Sequence, residues 1–166
     1  MKRNYIALPG VVLLAMAAAS AQSAHNSFDT IKSLAGNWEG KTETGEPIAV
    51  SYKVTAGGSA VMSEIEGGMH GKSEDMISMI HMDGDRLMLT HYCSAGNQPR
   101  MTASTSPDGK TITFNFLDAT NLASPDTPHM DHVVFTFIDA NHHVEEWHFS
   151  LQGKDMVKKF DLERKS

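Results

Sequence analysis

Apolar and polar residues alternate with a period of two through most of the chain after residue 36. This period is typical of β-strands that bury one face. The alternating segments recur at near-even spacing and are separated by turns rich in Gly, Asp or Asn. They predict ten strands: Asn37–Glu43, Pro47–Thr55, Ala60–Glu66, Asp75–Met82, Asp85–Cys93, Arg100–Thr105, Lys110–Leu117, His132–Ile138, His143–Leu151 and Asp155–Glu163.

Ten strands joined by hairpin turns predict an all-β protein with an antiparallel barrel or sandwich. We favour a closed up-and-down barrel, because closure removes the edges that an open sheet would expose. One short helix precedes the strands, since Phe28, Ile31 and Leu34 follow helical spacing after Asn26 and Gly36 is a stop signal.

The last strands indicate which face is buried. If Gln152-Gly153 is the turn, one face carries mostly apolar residues, whereas Glu146 and Lys159 pair on the other. A three-residue loop at 140–142 would add further phenylalanines to the inner face. The predicted interior residues are Val133, Phe135, Phe137, Trp147, Phe149, Met156, Phe160 and Leu162. Glu145 is the one acid on this face, either at the rim or as a buried partner of Arg100 or Lys158.

The connections between strands alternate between short and long. The short ones, at 55–59, 83–84, 106–109 and 139–142, predict a tightly closed end. The long ones, at 67–74, 94–99 and 117–131, predict an open end. They bring polar residues to one rim: His70, His91, Cys93, Asn97, Gln98, Arg100, Asn121, His129, His132 and His148.

This rim and the aromatic inner face predict a binding protein for a small, mostly apolar ligand. An amphipathic anion such as a fatty acid would interact with Arg100 through charge-assisted hydrogen bonds. The predicted wall includes Phe114, Phe116, Phe135, Phe137, Trp147 and Phe149. The predicted polar contacts are His91, Cys93, Asn97, Gln98, Arg100, Asn121 and His132.

Other interpretations of the same residues stay open. His91, His129 and His132, with Cys93, are candidate ligands of a transition metal or haem, and neighbouring Met residues favour copper over zinc. An enzyme with His91 as general base is a further alternative, although no substrate or reaction is indicated. A barrel filled by side chains, acting as a structural module, is another. Rim Asn and Gln side chains also commonly satisfy the backbone of irregular loops.

The first 21 residues have the pattern of a secretory signal. Lys2 and Arg3 precede the apolar run 6–19, and Ala19-Ser20-Ala21 is a small-x-small cleavage site. The apolar run is too short for a comfortable membrane span. We therefore expect an exported protein, periplasmic or secreted, with a single domain at 22–166. Cys93 is the sole cysteine, so an internal disulfide is excluded. The net charge of −6 argues against nucleic acid as a partner.

The stretch from Phe28 to Gly40, with Gly36-Asn37-Trp38, resembles the start of calycin-type barrels, where a short helix leads into a Gly-x-Trp strand. The resemblance implies that Trp38 closes the barrel floor. Residues 89–101 and 129–132 resemble bacterial exported proteins of unknown function with lipocalin-like barrels. The implied fold is a ten-stranded calycin-like barrel with a short N-terminal helix. Haem-binding barrels of the nitrobindin type share this architecture, but no position here matches their axial histidine.

Overall fold

The computed structural model describes the backbone of residues 10–69, 72–151 and 153–166. Side chains are described for residues 22–67, 76–151 and 153–166. The rim residue His70 lies outside the described residues, as do Lys2 and Arg3 of the predicted signal segment.

In the described residues, one α-helix is followed by a closed antiparallel barrel of ten strands, which confirms the predicted fold class. Each strand pairs with its neighbours in sequence, and β1 pairs with β10 to close the barrel. The helix α1 spans Gly10–Ser33. The strands are β1 (Gly36–Thr42), β2 (Pro47–Thr55), β3 (Ala60–Met69), β4 (Lys72–Asp83), β5 (Arg86–Tyr92), β6 (Gln98–Thr105), β7 (Thr111–Thr120), β8 (His129–Asp139), β9 (His142–Leu151) and β10 (Lys154–Arg164).

Several boundaries differ from the sequence prediction, and two of the differences concern the helix and the first long connection. The helix begins at Gly10, well before Asn26, because the Ala- and Leu-rich segment ahead of Asn26 has high helix propensity. The predicted loop at 67–74 is largely strand, since Met69 pairs with Lys72 at the end of the β3–β4 hairpin. In the described part of the chain, no helix has the length and apolar character needed to cross a membrane.

The turn between β8 and β9 also differs in detail. It contains two residues, Ala140 and Asn141, not three. The register shifts between Phe137 and Asp139, so Ile138 is an extra residue in β8. This bulge keeps the phenylalanines on the inner face, as predicted, because it restores the alternation that a two-residue turn alone would invert.

The helix packs against the end of the barrel that carries the short turns. Phe28, Ile31 and Leu34 are all buried in the core. The Ser27 hydroxyl lies 2.7 Å from the Thr105 hydroxyl, next to the β6–β7 turn. Trp38 Nε1 donates to the Leu34 carbonyl at 2.7 Å. We call this end the closed end, and Trp38 lies at its floor as the resemblance implied.

The seam between β1 and β10 depends on close backbone approach. A side chain at Gly40 would put its Cβ 1.8 Å from the carbonyl oxygen of Asp161, so only glycine fits. Arg164, at the end of β10, donates to the carbonyl oxygens of Ser33, Ala35 and Ala140. Its guanidinium also lies 4.3 Å from the centre of the Trp38 ring. Through Arg164, β10 therefore holds the C-terminal end of α1 against the closed end of the barrel.

Candidate functional site

A pocket of about 410 Å³ lies in the barrel mouth, at the end opposite the short turns. Its walls come from the first halves of β4, β8 and β10, from the end of β9 and from the loop after β5. The lining residues are mostly apolar: Met76, Cys93, Ser94, Ala95, Met130, Trp147, Phe149, Leu151, Met156 and Lys158. We call this cavity the mouth pocket.

Among the described residues that line the mouth pocket, Lys158 is the one with a positive charge. It lies on the inner face of β10 because Phe160 and Leu162, at alternate positions below it, are buried in the core. Partial burial raises the pKa of Glu43, but backbone hydrogen bonds and the charge of Lys158 outweigh this effect and the pKa is lowered overall. A cation at the edge of an apolar pocket is suited to binding an anionic group.

Below the mouth pocket, the barrel interior contains a layer of buried polar side chains. Four of them are direct cross-strand neighbours on β2 to β5: Tyr52 pairs with Ser63, Ser63 with Ser78, and Ser78 with His91. Ser78 Oγ lies 2.9 Å from His91 Nδ1. With two residues of β9 these side chains form what we call the polar belt: Tyr52, Ser63, Ser78, His91, His143 and Glu145.

Glu145 is fully buried and is the charge centre of the polar belt. Its Oε2 accepts a hydrogen bond from Trp147 Nε1 at 2.7 Å. Its Oε1 accepts one from the Tyr52 hydroxyl and lies 3.1 Å from His143 Nε2. Three donors around one carboxylate offset much of the cost of its burial.

Burial changes the acid–base behaviour of two belt residues. The pKa of Tyr52 is raised well above its usual value, first by burial and then by the charge of Glu145 and the hydrogen bond to it. Burial lowers the pKa of His91 to about 4. His91 is therefore a neutral imidazole near pH 7 and can accept a hydrogen bond through one ring nitrogen.

His91 also lies close to the mouth pocket. Its ring centre is 4.9 Å from that of Trp147, which belongs to the pocket wall. Its Nε2 atom has no hydrogen-bond partner among the described residues. Cys93 follows two positions later on the same face and lines the pocket itself. Both side chains therefore face the barrel interior.

The predicted aromatic wall is divided between two depths. Trp147 lines the mouth pocket, as does Phe149. Phe114 and Phe135 are fully buried, with ring centres 5.8 Å apart in an edge-to-face contact, and lie outside the set of pocket-lining residues. Much of the barrel interior is thus filled by its own side chains, and space remains at the mouth.

Three predicted polar contacts instead hold the rim loops together. Asn97 donates through Nδ2 to the Pro128 carbonyl at 2.8 Å. Asn121, in the left-handed region with φ of 56°, donates to the Gly96 carbonyl at 2.6 Å. Gln98 Oε1 accepts from the Thr120 hydroxyl at 2.7 Å. The contacts of Asn97 and Asn121 match the alternative in which rim amides satisfy irregular backbone.

Arg100 lies on the outer surface and is not among the residues that line the mouth pocket. It pairs in register with Asp118 on β7, and its Nε donates to Asp118 Oδ1 at 2.6 Å. This pair lowers the pKa of Asp118 and raises that of Arg100. The charge-assisted contact that the sequence suggested for Arg100 is made with a neighbouring strand.

The three predicted metal-ligating histidines occupy different environments. His91 is inside the polar belt. His129 donates from Nδ1 to the Thr127 carbonyl at 2.6 Å and packs on Phe116. His132 is partly exposed and stacks on His148. Among the described residues, no group of three or more His, Cys, Asp or Glu side chains is arranged to hold a metal ion.

Sequence reasoning missed Lys158 as a pocket residue and Tyr52 and Ser78 as belt residues. Lys158 had a usable signal, because it interrupts an apolar inner-face row between Met156 and Phe160. Tyr52 had none, since its partner Glu145 is 93 positions away.

The chain has a solved structural neighbour. It is similar in fold to the crystal structure of Rv2717c from M. tuberculosis, with a TM-score of 0.54 and 15% sequence identity. The similarity covers 84% of this chain and 98% of that chain. Neither a protein-family model nor a curated protein matches this chain in sequence. The comparison thus supports the barrel fold, and the calycin and lipocalin resemblance stays a prediction.

Proposed function

We propose that this chain is a binding protein whose mouth pocket holds a small molecule with an apolar body and an anionic end. The observation that carries the proposal is the mouth pocket itself, an apolar cavity of about 410 Å³ with the cation of Lys158 among its described lining residues. Pockets for small ligands have this volume range, mostly apolar walls and a few placed polar groups. We also propose that the protein is exported, on the basis of the signal-like first 21 residues.

Three parts of the pocket have distinct roles in this proposal. Phe149, Met130 and Met156 provide the apolar contact area, and the thioethers adapt to irregular ligand shapes. Lys158 pairs with the anionic end. His91, behind Trp147, offers a ring nitrogen without a partner among the described residues for a second polar contact.

The test compares two ligands and two lysines. Decanoate and decanol share an apolar chain but differ in charge, so binding of each to the full-length protein is measured by calorimetry. In Lys158→Met, decanoate affinity should fall by about tenfold, equivalent to about 1.4 kcal/mol, with little change for decanol. Lys159→Met is the matched control, because Lys159 lies on the outer face and pairs with Glu146 at 3.0 Å.

Equal loss of decanoate affinity in both lysine variants would remove Lys158 from the site. Absence of binding for both ligands, in a protein that is folded, would contradict the binding function for this ligand class. A loss confined to Lys158→Met and decanoate would support both the pocket and its charged edge.

A further inference from the structure

Four of the described residues that line the mouth pocket carry sulfur. Cys93, the sole cysteine of the chain, is one of them. The other three are the methionines Met76, Met130 and Met156. Met76 and Met130 are each 2% exposed and Cys93 is half-buried, whereas Met156 lies at the rim. The wall of this cavity therefore offers a thiol and several thioethers to whatever enters it.

Two of these sulfur-containing side chains are neighbours on one wall of the pocket. Ile77 of β4 pairs with Tyr92 of β5. One step further in the same antiparallel register, Met76 lies opposite Cys93. Residues directly opposite in such a ladder have Cβ atoms about 4.5–5.5 Å apart. Because a methionine side chain is long and flexible, the thioether of Met76 can reach an ion bound to the Cys93 sulfur.

A fully buried histidine lies next to this pair, deeper in the barrel. His91 precedes Cys93 by two positions on the same face, and its register partner Ser78 is two positions from Met76. Ser78 Oγ lies 2.9 Å from His91 Nδ1, whereas His91 Nε2 has no hydrogen-bond partner among the described residues. The ring packs on Trp147, which belongs to the pocket wall. A buried polar atom without a protein partner indicates a ligand at this place.

We propose that this wall of the mouth pocket binds a soft monovalent metal ion, Cu(I), through Cys93 Sγ, Met76 Sδ and His91 Nε2. Thiolate and thioether sulfur select Cu(I), and imidazole nitrogen also suits copper. On binding, the Cys93 thiol releases its proton to water and ligates as the thiolate. His91 Nδ1 then donates its proton to Ser78 Oγ, an orienting contact of the kind that metal-ligating histidines make.

The charges around the pocket favour a monovalent ion over a divalent one. Cu(I) and one thiolate form a neutral pair, which costs less to bury in an apolar cavity than a charged pair. A divalent ion would leave a net positive charge in the pocket that also contains Lys158. No Asp or Glu is among the described lining residues, so ions that prefer carboxylate ligands find none there.

This metal site goes beyond the proposed function and does not depend on it. Its ligands lie on β4, on β5 and directly after β5, whereas the cation proposed to bind the anionic end lies on β10. The two sites share the cavity and His91. Of the three histidines that the sequence suggested as metal ligands, only His91 takes part.

The test is calorimetric titration of the full-length protein with silver nitrate in a chloride-free buffer. Silver(I) has the charge and closed-shell character of Cu(I) and needs no reductant. We expect one tightly bound silver ion per chain. Because a thiol alone also captures silver, the informative variant is Met76→Leu, which nearly conserves volume but removes the thioether. Its silver affinity should fall at least about tenfold. Met101→Leu is the matched control, since Met101 is also buried on an inner face but does not line the mouth pocket.

A spectroscopic readout in the wild type makes the test independent of how well the variants fold. In protein labelled with carbon-13 at the methionine methyl groups, the first equivalent of silver should shift the signal of Met76 and leave that of Met101 in place. The proposal is overturned if the Met76 signal does not move, or if Met76→Leu binds silver as tightly as the wild type.

Decanoate binding is measured on the same preparation, so that the two proposals can fail separately. Decanoate binding without the silver response would refute the metal site alone. The silver response without decanoate binding would support the metal site and contradict only the proposed function.

Discussion

The closed end and the mouth of this barrel differ in how tightly their side chains are packed. At the closed end, α1 covers the interior and Trp38 is 1% exposed, with contacts to Leu34, His143 and Arg164. At the mouth, Met156 is 41% exposed and a pocket remains. Close packing at one end can thus stabilise the whole barrel, so the interior at the other end can stay unfilled by side chains and form a pocket. Binding regions are commonly found in such less stable parts of a fold.

The largest expected effect comes from removing the floor of the closed end. Trp38→Ala should lower the free energy of unfolding by about 3–5 kcal/mol, because it leaves a large cavity. Met156→Ala, at the mouth, should cost less than about 1 kcal/mol. Urea unfolding of both variants measures the difference between the two ends. Equal losses would show that the ends contribute equally to stability.

The second-largest expected effect is a loss of folding stability at acidic pH, caused by His91 in the polar belt. Burial lowers its pKa to about 4 in the folded state, against about 6.5 when unfolded. As pH falls from 6.5 to 4, the unfolded state binds a proton that the folded state does not, so stability decreases. The contribution amounts to roughly 3 kcal/mol.

Unfolding of the wild type and of His91→Gln at pH 7 and pH 4 tests this prediction. The wild type should lose roughly 3 kcal/mol more than the variant over this interval. Parallel losses would show that His91 stays neutral in both states or is solvated when folded. The polar belt would then belong to the loosely packed mouth and not to the packed interior.

A smaller effect is expected from Glu145→Gln. The amide has one acceptor oxygen where the carboxylate has two, so a donor among Tyr52, His143 and Trp147 loses its partner. The expected cost is about 1–3 kcal/mol. Glu146→Gln is the matched control, since Glu146 is the next residue and faces solvent in an ion pair with Lys159. It should cost less than about 1 kcal/mol in the same urea unfolding measurement.

The smallest effect is expected from Arg100→Ala. Arg100 is exposed and pairs with Asp118 on the outer surface, so both unfolding free energy and decanoate affinity should stay close to those of the wild type. A clear loss of decanoate affinity would restore Arg100 to the binding site and would extend that site beyond the mouth pocket.

The fold could be predicted from the sequence because alternation reports directly on one-sided burial. The inner-face positions of Phe135, Trp147 and Phe160 followed from it, as did the outer-face pair Glu146 and Lys159. The bulge at Ile138 was not predictable, although the inner-face position of the β8 phenylalanines was. A strand can reach the same inner face through a longer turn or through an extra residue.

The site was less predictable, because its contacts join distant strands. Glu145 was recognised as an unusual inner-face acid, but its partner Tyr52 is on β2, and their contact depends on how the closed barrel is packed across its interior. Arg100 was assigned to the rim because it follows the long connection at 94–99. Alternation around Met101, which is fully buried, points Arg100 outward and was the better guide.

The pairing of β1 with β10 has a consequence for synthesis of the protein. β1 is the first strand to leave the ribosome, yet one of its edges stays unpaired until the residues up to Arg164 have also emerged. Barrel closure therefore waits for the last strand and joins strands more than 100 residues apart. Such non-local pairing folds slowly and leaves a strand edge open to other chains in the meantime. In a nascent chain of this protein, that edge of β1 stays available to other chains until β10 has emerged.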